Sequence, residues 1–438
     1  MNLTRLPISE ASNYIKDLRI TPLELVESHF NLITELEPYL QAWVTVDFEG
    51  ARKMASELTK EAERGEIRGP LHGIPVGIKD IYNTKGMATT MGTPRYKDNI
   101  PTEDSEIVST LRKAGAIILG KTETTEFACL DPAPTRNPWN LKHTPGGSSS
   151  GSAAAVSSGM CPLAFGSQTG GSVTRPASFC GVVGIKPTYD LLSRRGIFPL
   201  AWSLDHVGFM TKTVGDSALT LNVLTGKKIQ NRTIKKPRIS FLEGYFKENA
   251  SDDVRDNFLK VLKRLASAGA VTEELKPPKG IETVHSAHRV IMAAEAAAVH
   301  ESAFKEDPNR YRPNIRGLIC SGLMVSSTTY LRAQRIRRIF IENTQRLMSN
   351  YDVIATPSAP TPAPLDLQST GSASFNSPWS LSGFPTLTIP SGLNKDNLPL
   401  GLQLTAEPYR EELLIDVGLW CEKVLGSIGD PPSSYSLN

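Results

Sequence analysis

The sequence predicts an α/β protein with a mixed, mostly buried β-sheet flanked by α-helices. Short apolar runs of strand length alternate with helical patterns along most of the chain. Those runs are apolar throughout instead of alternating with polar residues, which is the pattern of strands covered on both faces. With 39% hydrophobic and 21% charged residues in 438, the chain can bury a large core.

The elements follow in order. Thr21-Pro22-Leu23-Glu24 reads as a capping box with proline at the first helical position, and Val26, Phe30 and Ile33 then recur on one face. Pro38 is expected to stop this helix, and a polar helix follows over 49–64. Strands are expected at 74–78, 116–119, 162–165 and 182–185, with helices at 106–114 and 152–158. The basic stretch 226–238 reads as a solvated linker. Beyond it come a strand at 239–242, helices at 254–267, 285–302 and 329–351, and strands at 385–390 and 400–404. No internal repeat or domain boundary stands out.

Composition excludes several classes. A net charge of +3 gives no support for a dedicated nucleic-acid binder. Five cysteines without a CxxC pair argue against a disulfide framework or zinc ribbon and favour a reducing compartment. The first ten residues hold no apolar signal region, and no run reaches the ~18 apolar residues of a membrane span. A cytoplasmic protein without membrane contact is expected.

One motif is a decoy. Gly115 to Thr122 matches GxxxxGK[ST], but a phosphate loop needs a strand before it and a helix after it. Here a helix pattern precedes Gly115, and the intervening residues are apolar and strand-like. Amides tied up in a sheet cannot cradle phosphates.

Two glycine-serine clusters are more informative: Gly146-Gly-Ser-Ser-Ser150 and Thr169-Gly-Gly-Ser172, with Ser172 24 residues after Ser148. Flanked by apolar strands, they are not a flexible linker. They point to close backbone approach and to amides able to converge on an oxyanion. No GxSxG elbow or evident Ser-His-Asp arrangement accompanies them. Lys79, after the apolar run ending at Ile78, is the remaining candidate activator, projecting from a strand end. Without the serine clusters, a surface salt bridge would be the better reading of that lysine.

These residues carry a resemblance. Gly73-Ile-Pro-Val-Gly-Ile-Lys79-Asp80, Thr135-Arg-Asn-Pro-Trp-Asn140, Pro145-Gly-Gly-Ser-Ser149, Thr169-Gly-Gly-Ser172 and Phe179-Cys-Gly-Val-Val-Gly-Ile-Lys-Pro-Thr188 resemble the amidase signature family, nearly end to end. The resemblance implies one amidase-signature domain over 1–438, with its core at about 70–210; the Pro/Ser-rich composition of 429–438 predicts a flexible tail. It implies amide hydrolysis through Ser172 as nucleophile, Ser148 as bridging serine after a cis Gly147–Ser148 peptide, and Lys79 as base. The amides of Thr169, Gly170, Gly171 and Ser172 would form the oxyanion hole. Asp80 must then point away from the amine. No metal and no cofactor are implied.

Departures from the family pattern are Gln168 for the usual aspartate, Thr174 for the usual arginine with Arg175 one position on, and Ser150 for a glycine. An arrangement of Gln168 with Arg175 is expected to replace the acid–arginine pair. Substrate contacts are expected from Gly147, Ser149, Gln168, Arg175, Phe127 and Trp379, with Tyr96, Phe375 and Phe384 as further aromatics able to line a pocket or the core. The expected partner is a small-molecule amide, with no nucleic acid, and a homodimer is left open. The competing reading is the glutamine-hydrolysing subunit of a tRNA-dependent amidotransferase. Gln168, Thr174 and the lack of a carboxylate in 367–374 weigh against it.

Overall fold

The computed structural model describes residues 2–227, 234–242 and 244–435. Lys228 and Arg232 of the basic stretch, and 436–438 of the tail, lie outside the described residues. Among those described, eleven strands form one sheet: β1 (Trp43–Val46), β2 (Pro75–Lys79), β3 (Ile117–Thr122), β4 (Leu163–Gln168), β5 (Val183–Lys186), β6 (His206–Thr211), β7 (Arg238–Leu242), β8 (Val271–Leu275), β9 (Val353–Pro357), β10 (Thr386–Leu393) and β11 (Pro399–Thr405). Their order is β1-β3-β2-β4-β6-β5-β10-β11-β9-β7-β8. β2 runs parallel to β3 and β4, and β7 to β8 and β9; the other pairings are antiparallel. The expected mixed, buried α/β sheet is present.

Burial on both faces explains the uninterrupted apolar strands. Along β4, Leu163 and Phe165 face one core and Ala164 the other, as the two-residue strand repeat demands. On the Ala164 side lies the small-residue helix Ser150–Ser158, buried along its whole length, with Phe30 and Ile33 of the helix Pro22–Leu40. The capping box at Thr21 and Glu24 is formed. Pro38 does not end that helix, which continues to Leu40: a proline in the final turn removes only one N–H, and Gln41, at φ 48°, closes the end on Glu37 O.

Several elements escape sequence patterning. The helices Val214–Thr225 and Glu411–Leu425 bury residues around more than one side, which blurs the 3.6-residue repeat. β1 and β8 also escape it, because Thr45 in the one and Thr272, Glu273 and Glu274 in the other break the apolar run. At the tail, Asp430 Oδ1 lies 2.8 Å from both Arg5 Nη1 and Lys212 Nζ, and Tyr435 donates to Pro138 O at 2.9 Å. No helix among the described residues is long and apolar enough to cross a membrane.

What matters for chemistry is the register of β2 with β4. The strands are parallel and Ile78 stands opposite Phe165, so Lys79 and the loop after Gln168 emerge at the same edge.

Candidate active site

Lys79 is the last residue of β2 and its side chain is fully buried. Its Nζ lies 2.7 Å from Ser148 Oγ and 2.8 Å from Ser167 Oγ. Burial lowers the amine's pKa to about 7, against an opposing pull from the carboxylate of Asp205. Asp80 does point elsewhere. Its Oδ1 is 3.3 Å from Lys121 Nζ, and its Oδ2 accepts from Thr90 N at 2.9 Å.

Ser148 follows a cis Gly147–Ser148 peptide. The neighbouring serines brace the backbone. Ser149 Oγ accepts from Ser167 N at 3.2 Å, and Ser150 Oγ donates to Gly146 O at 2.9 Å, so the hydroxyl replacing the usual glycine is absorbed locally. Ser149 N donates to Ser172 O at 3.4 Å, tying the two clusters together. Gly166 is required here, since a Cβ on it would stand 2.5 Å from Ser149 Oγ.

Ser172 ends the Thr169–Ser172 loop, between β4 and the short helix Thr174–Cys180. Gln168 caps that helix: its Oε1 accepts from Val173 N and Thr174 N, both at 2.9 Å, and from Thr174 Oγ1 at 3.1 Å. Gln168 and Arg175 thus act separately in place of an acid–arginine pair. A neutral acceptor satisfies the helix amides by itself, which frees Arg175 to bond Gly147 O at 2.5 Å and Gly371 O at 2.7 Å. The loop is held from below by Thr169 Oγ1 to Asp205 Oδ1 (2.6 Å), from one side by Ser380 Oγ to Gly170 O (2.7 Å), and from the other by His288 Nε2, 2.9 Å from Thr169 O. Among the described residues, the amides of Thr169, Gly170, Gly171 and Ser172 donate to no protein acceptor. They border a cavity of about 270 Å³ that Ser172, Arg175 and Met292 also line.

Ser167 and Ser380 are not singled out by sequence. Ser167 lies just before the second glycine-serine cluster, yet only the β2–β4 register puts it beside Lys79. The aromatic expectations fare differently. Trp379, Phe375 and Phe384 are fully buried in one core cluster, where Trp379 stacks on Phe246 at 6.4 Å and 7°. Phe127 is enclosed by Tyr96, Phe198, His300 and Tyr311. None of these rings lines the cavity beside Ser172. Apolar rings fill the core because burial of their area outweighs any role at a wet surface. As for the decoy, Lys121 lies within β3, donating to Tyr82 O at 2.6 Å and Thr89 Oγ1 at 2.7 Å. Among the described residues no cluster of three His, Cys, Asp or Glu side chains is placed to hold a metal ion.

The family model described as Amidase matches residues 24–415. The chain belongs to the amidase signature family. Membership makes the protein a hydrolase of amide C–N bonds. It is 34% identical to the A-type subunit of the glutamyl-tRNA(Gln) amidotransferase of Halothermothrix orenii, with 97% of this chain and 98% of that protein covered. The corresponding protein from Carboxydothermus hydrogenoformans is likewise 34% identical, over 95% of this chain and 96% of the relative. Among solved structures, one described as an amidase superposes with a TM-score of 0.89 at 31% identity, covering 96% of this chain and all of that one. The peptide amidase of Stenotrophomonas maltophilia gives a TM-score of 0.87 at 25% identity, over 98% and 99%.

These relatives correct one expectation. A free small-molecule amide as partner with no nucleic acid does not stand against end-to-end likeness to components of an enzyme named for its glutamyl-tRNA. The expectation drew on a net charge of +3, which reports on direct phosphate contact and not on membership of a complex. It drew also on Gln168, Thr174 and the lack of a carboxylate in 367–374, of which the first two bond each other at the helix start.

Proposed function

We propose that the protein releases ammonia from the side-chain amide of glutamine and works as the A-type subunit of a tRNA-dependent amidotransferase. The observation that carries the chemistry is the buried Lys79 amine, 2.7 Å from Ser148 Oγ and, among the described residues, with no carboxylate bonded to it. The assembly reading rests on the likeness to the amidotransferase components.

Neutral Lys79 accepts the proton of Ser148, and Ser148 accepts that of Ser172. Ser172 Oγ forms a bond to the amide carbon, and the oxyanion takes hydrogen bonds from the free amides of the Thr169–Ser172 loop, those of Thr169, Gly170, Gly171 and Ser172. The relay returns the proton to nitrogen as the C–N bond breaks, and ammonia leaves. Water then adds to the acyl-Ser172 ester, releasing the carboxylic acid and restoring the serine. A lysine with its pKa near 7 serves both directions of transfer at neutral pH. Thr169, with Asp205 beneath it, and Gln168 at the helix start hold the loop that presents Ser172.

Ammonia release from glutamine, measured for wild type, Ser172→Ala and Lys79→Ala, tests the chemistry. Both variants should lose at least about a thousandfold; glutamine turnover unchanged in either would sink the scheme. Adding the other components of the amidotransferase and glutamyl-tRNA(Gln) tests the assembly. Conversion to glutaminyl-tRNA is expected, and ammonia release with no transfer would remove the amidotransferase reading while leaving the hydrolase.

A further inference from the structure

We infer that the site recognises the carboxylate of its amide substrate through Arg175 and does not recognise an ammonium, so that ω-amides of dicarboxylic acids are turned over at least as well as glutamine. This rests on the reading of Ser172 as nucleophile, because Arg175 lines the same cavity.

The argument begins with an uncompensated charge. Arg175, in the first turn of the helix Thr174–Cys180, is 3% exposed. Its partners among the described residues are all neutral: Gly371 O, Gly147 O and, at 3.2 Å, Thr370 Oγ1. Its Nε–H is buried with no acceptor among those residues. No described carboxylate is paired with it, and burial alone acts on its pKa, lowering it to about 10, so the group stays cationic at neutral pH. A buried cation without a counter-ion and with an orphaned donor is costly, and such groups are ordinarily paired. The residue that carries this charge borders the cavity beside the nucleophile.

The rest of the lining agrees. The other ionisable groups there are His285, His288, Arg289 and the Cys129 thiol, which burial pushes up to about 12 and so keeps neutral; no aspartate or glutamate is among them. Burial lowers the pKa of both histidines, that of His288 to about 4, so they are neutral donors or acceptors and Arg289 adds a second positive charge. Asp205 borders the adjacent cavity, but its oxygens already accept from Thr169 Oγ1 and from the amides of Leu200 and Ala201. A carboxylate entering beside Ser172 meets an uncompensated positive charge; an ammonium meets no acid in the lining. Met292, Leu130 and Ala373 leave room for a short methylene chain between the two ends of the substrate.

Three matched amides separate the terms. Glutaramate is glutamine without its ammonium, and pentanamide lacks both charges. Wild type should give kcat/KM for glutaramate equal to or above that for glutamine, and about tenfold or more above that for pentanamide. Arg175→Gln should cut the glutaramate-to-pentanamide ratio by about tenfold or more, and Arg175→Lys should restore part of it. Equal losses on both substrates would mean that Arg175 only braces the Gly147 and Gly371 carbonyls, and would overturn the inference. So would a wild type that prefers pentanamide, or glutamine over glutaramate. Calorimetric binding of glutarate to Ser172→Ala reads the anion site without catalysis, so failure of the nucleophile assignment leaves this test intact. Binding that weakens by about tenfold or more on adding Arg175→Gln is expected; no glutarate binding to Ser172→Ala, or binding indifferent to Arg175, would overturn it.

Discussion

Two lysines stand on adjacent parallel strands, one residue out of register, and both are fully buried: Lys79 at the end of β2 and Lys121 in β3. Burial pulls both amines down, Lys79 to about 7 and Lys121 to about 8. What separates them is the kind of neighbour. Lys121 faces Tyr82 O, the Asp80 carboxylate and Thr89 Oγ1, whose own hydrogen goes to Tyr82 O. Three acceptors call for three N–H donors, so that amine is held as a structural cation. Lys79 faces two hydroxyls, each able to give or take a hydrogen. A neutral amine fits there, and can accept. Burial supplies the lowered pKa in both places; only the hydroxyl partners convert it into a usable base.

The largest test of that contrast is Lys79→Ala beside Lys121→Met. Removing Lys79 should lower amide turnover by about ten-thousandfold, with the fold retained by circular dichroism. Lys121→Met should act on stability, costing about 3–5 kcal/mol in urea titration because Asp80 is left buried without its cation. If Lys121→Met leaves stability untouched, the two pockets are not different in kind.

The pH dependence sharpens the same point. Only the unprotonated Lys79 can accept, so kcat/KM should rise with pH through about 7 and level off above it. For stability the same group acts over a different window. Its folded pKa is depressed from 10.5, so its contribution is whole above about 10.5, falls as the pH drops toward about 7, and changes no further below that. A rate profile flat between about pH 5.5 and 8.5, on stable protein, would detach Lys79 from the chemistry.

Smallest of the expected effects is that of Ser167→Ala. It removes one of the two hydroxyls on the amine and leaves the Ser148 contact, so kcat/KM should fall about fivefold to tenfold, the worth of one buried hydrogen bond. A loss as large as that of Lys79→Ala would mean that Ser167, not Ser148, carries the proton.

Much of this pocket was legible in the sequence, and the reason is chemical. Lys79, Ser148 and Ser172 belong to motifs whose glycines are dictated by close approach, as at Gly166 against Ser149, so they leave a local trace. Ser167 leaves none, because its position beside Lys79 depends on strand pairing across the fold. Gln168 is visible as a departure, but not its partners: which polar atom it meets is set by the turn from β4 into the next helix. Trp379 and Phe127 show the opposite limit. An aromatic ring carries the same signature in a core as in a pocket, and only packing tells them apart. In the fold, strands buried on both faces were readable as apolar runs, whereas helices buried on several sides had lost the repeat that would have announced them.

The strand order has a consequence for how the molecule comes together. β1 to β6 arise from one continuous stretch of chain and lie on one side of the sheet; β7, β8 and β9 arise from the next and lie on the other. The two groups never touch edge to edge. β10 and β11, made last, insert between them, β10 against β5 and β11 against β9. Until that hairpin leaves the ribosome, the nascent protein carries two raw sheet edges, each a template for pairing with another chain. The hairpin is the keystone of an arch whose two sides are raised first, and any stall in synthesis between residues 357 and 386 would leave both sides standing open.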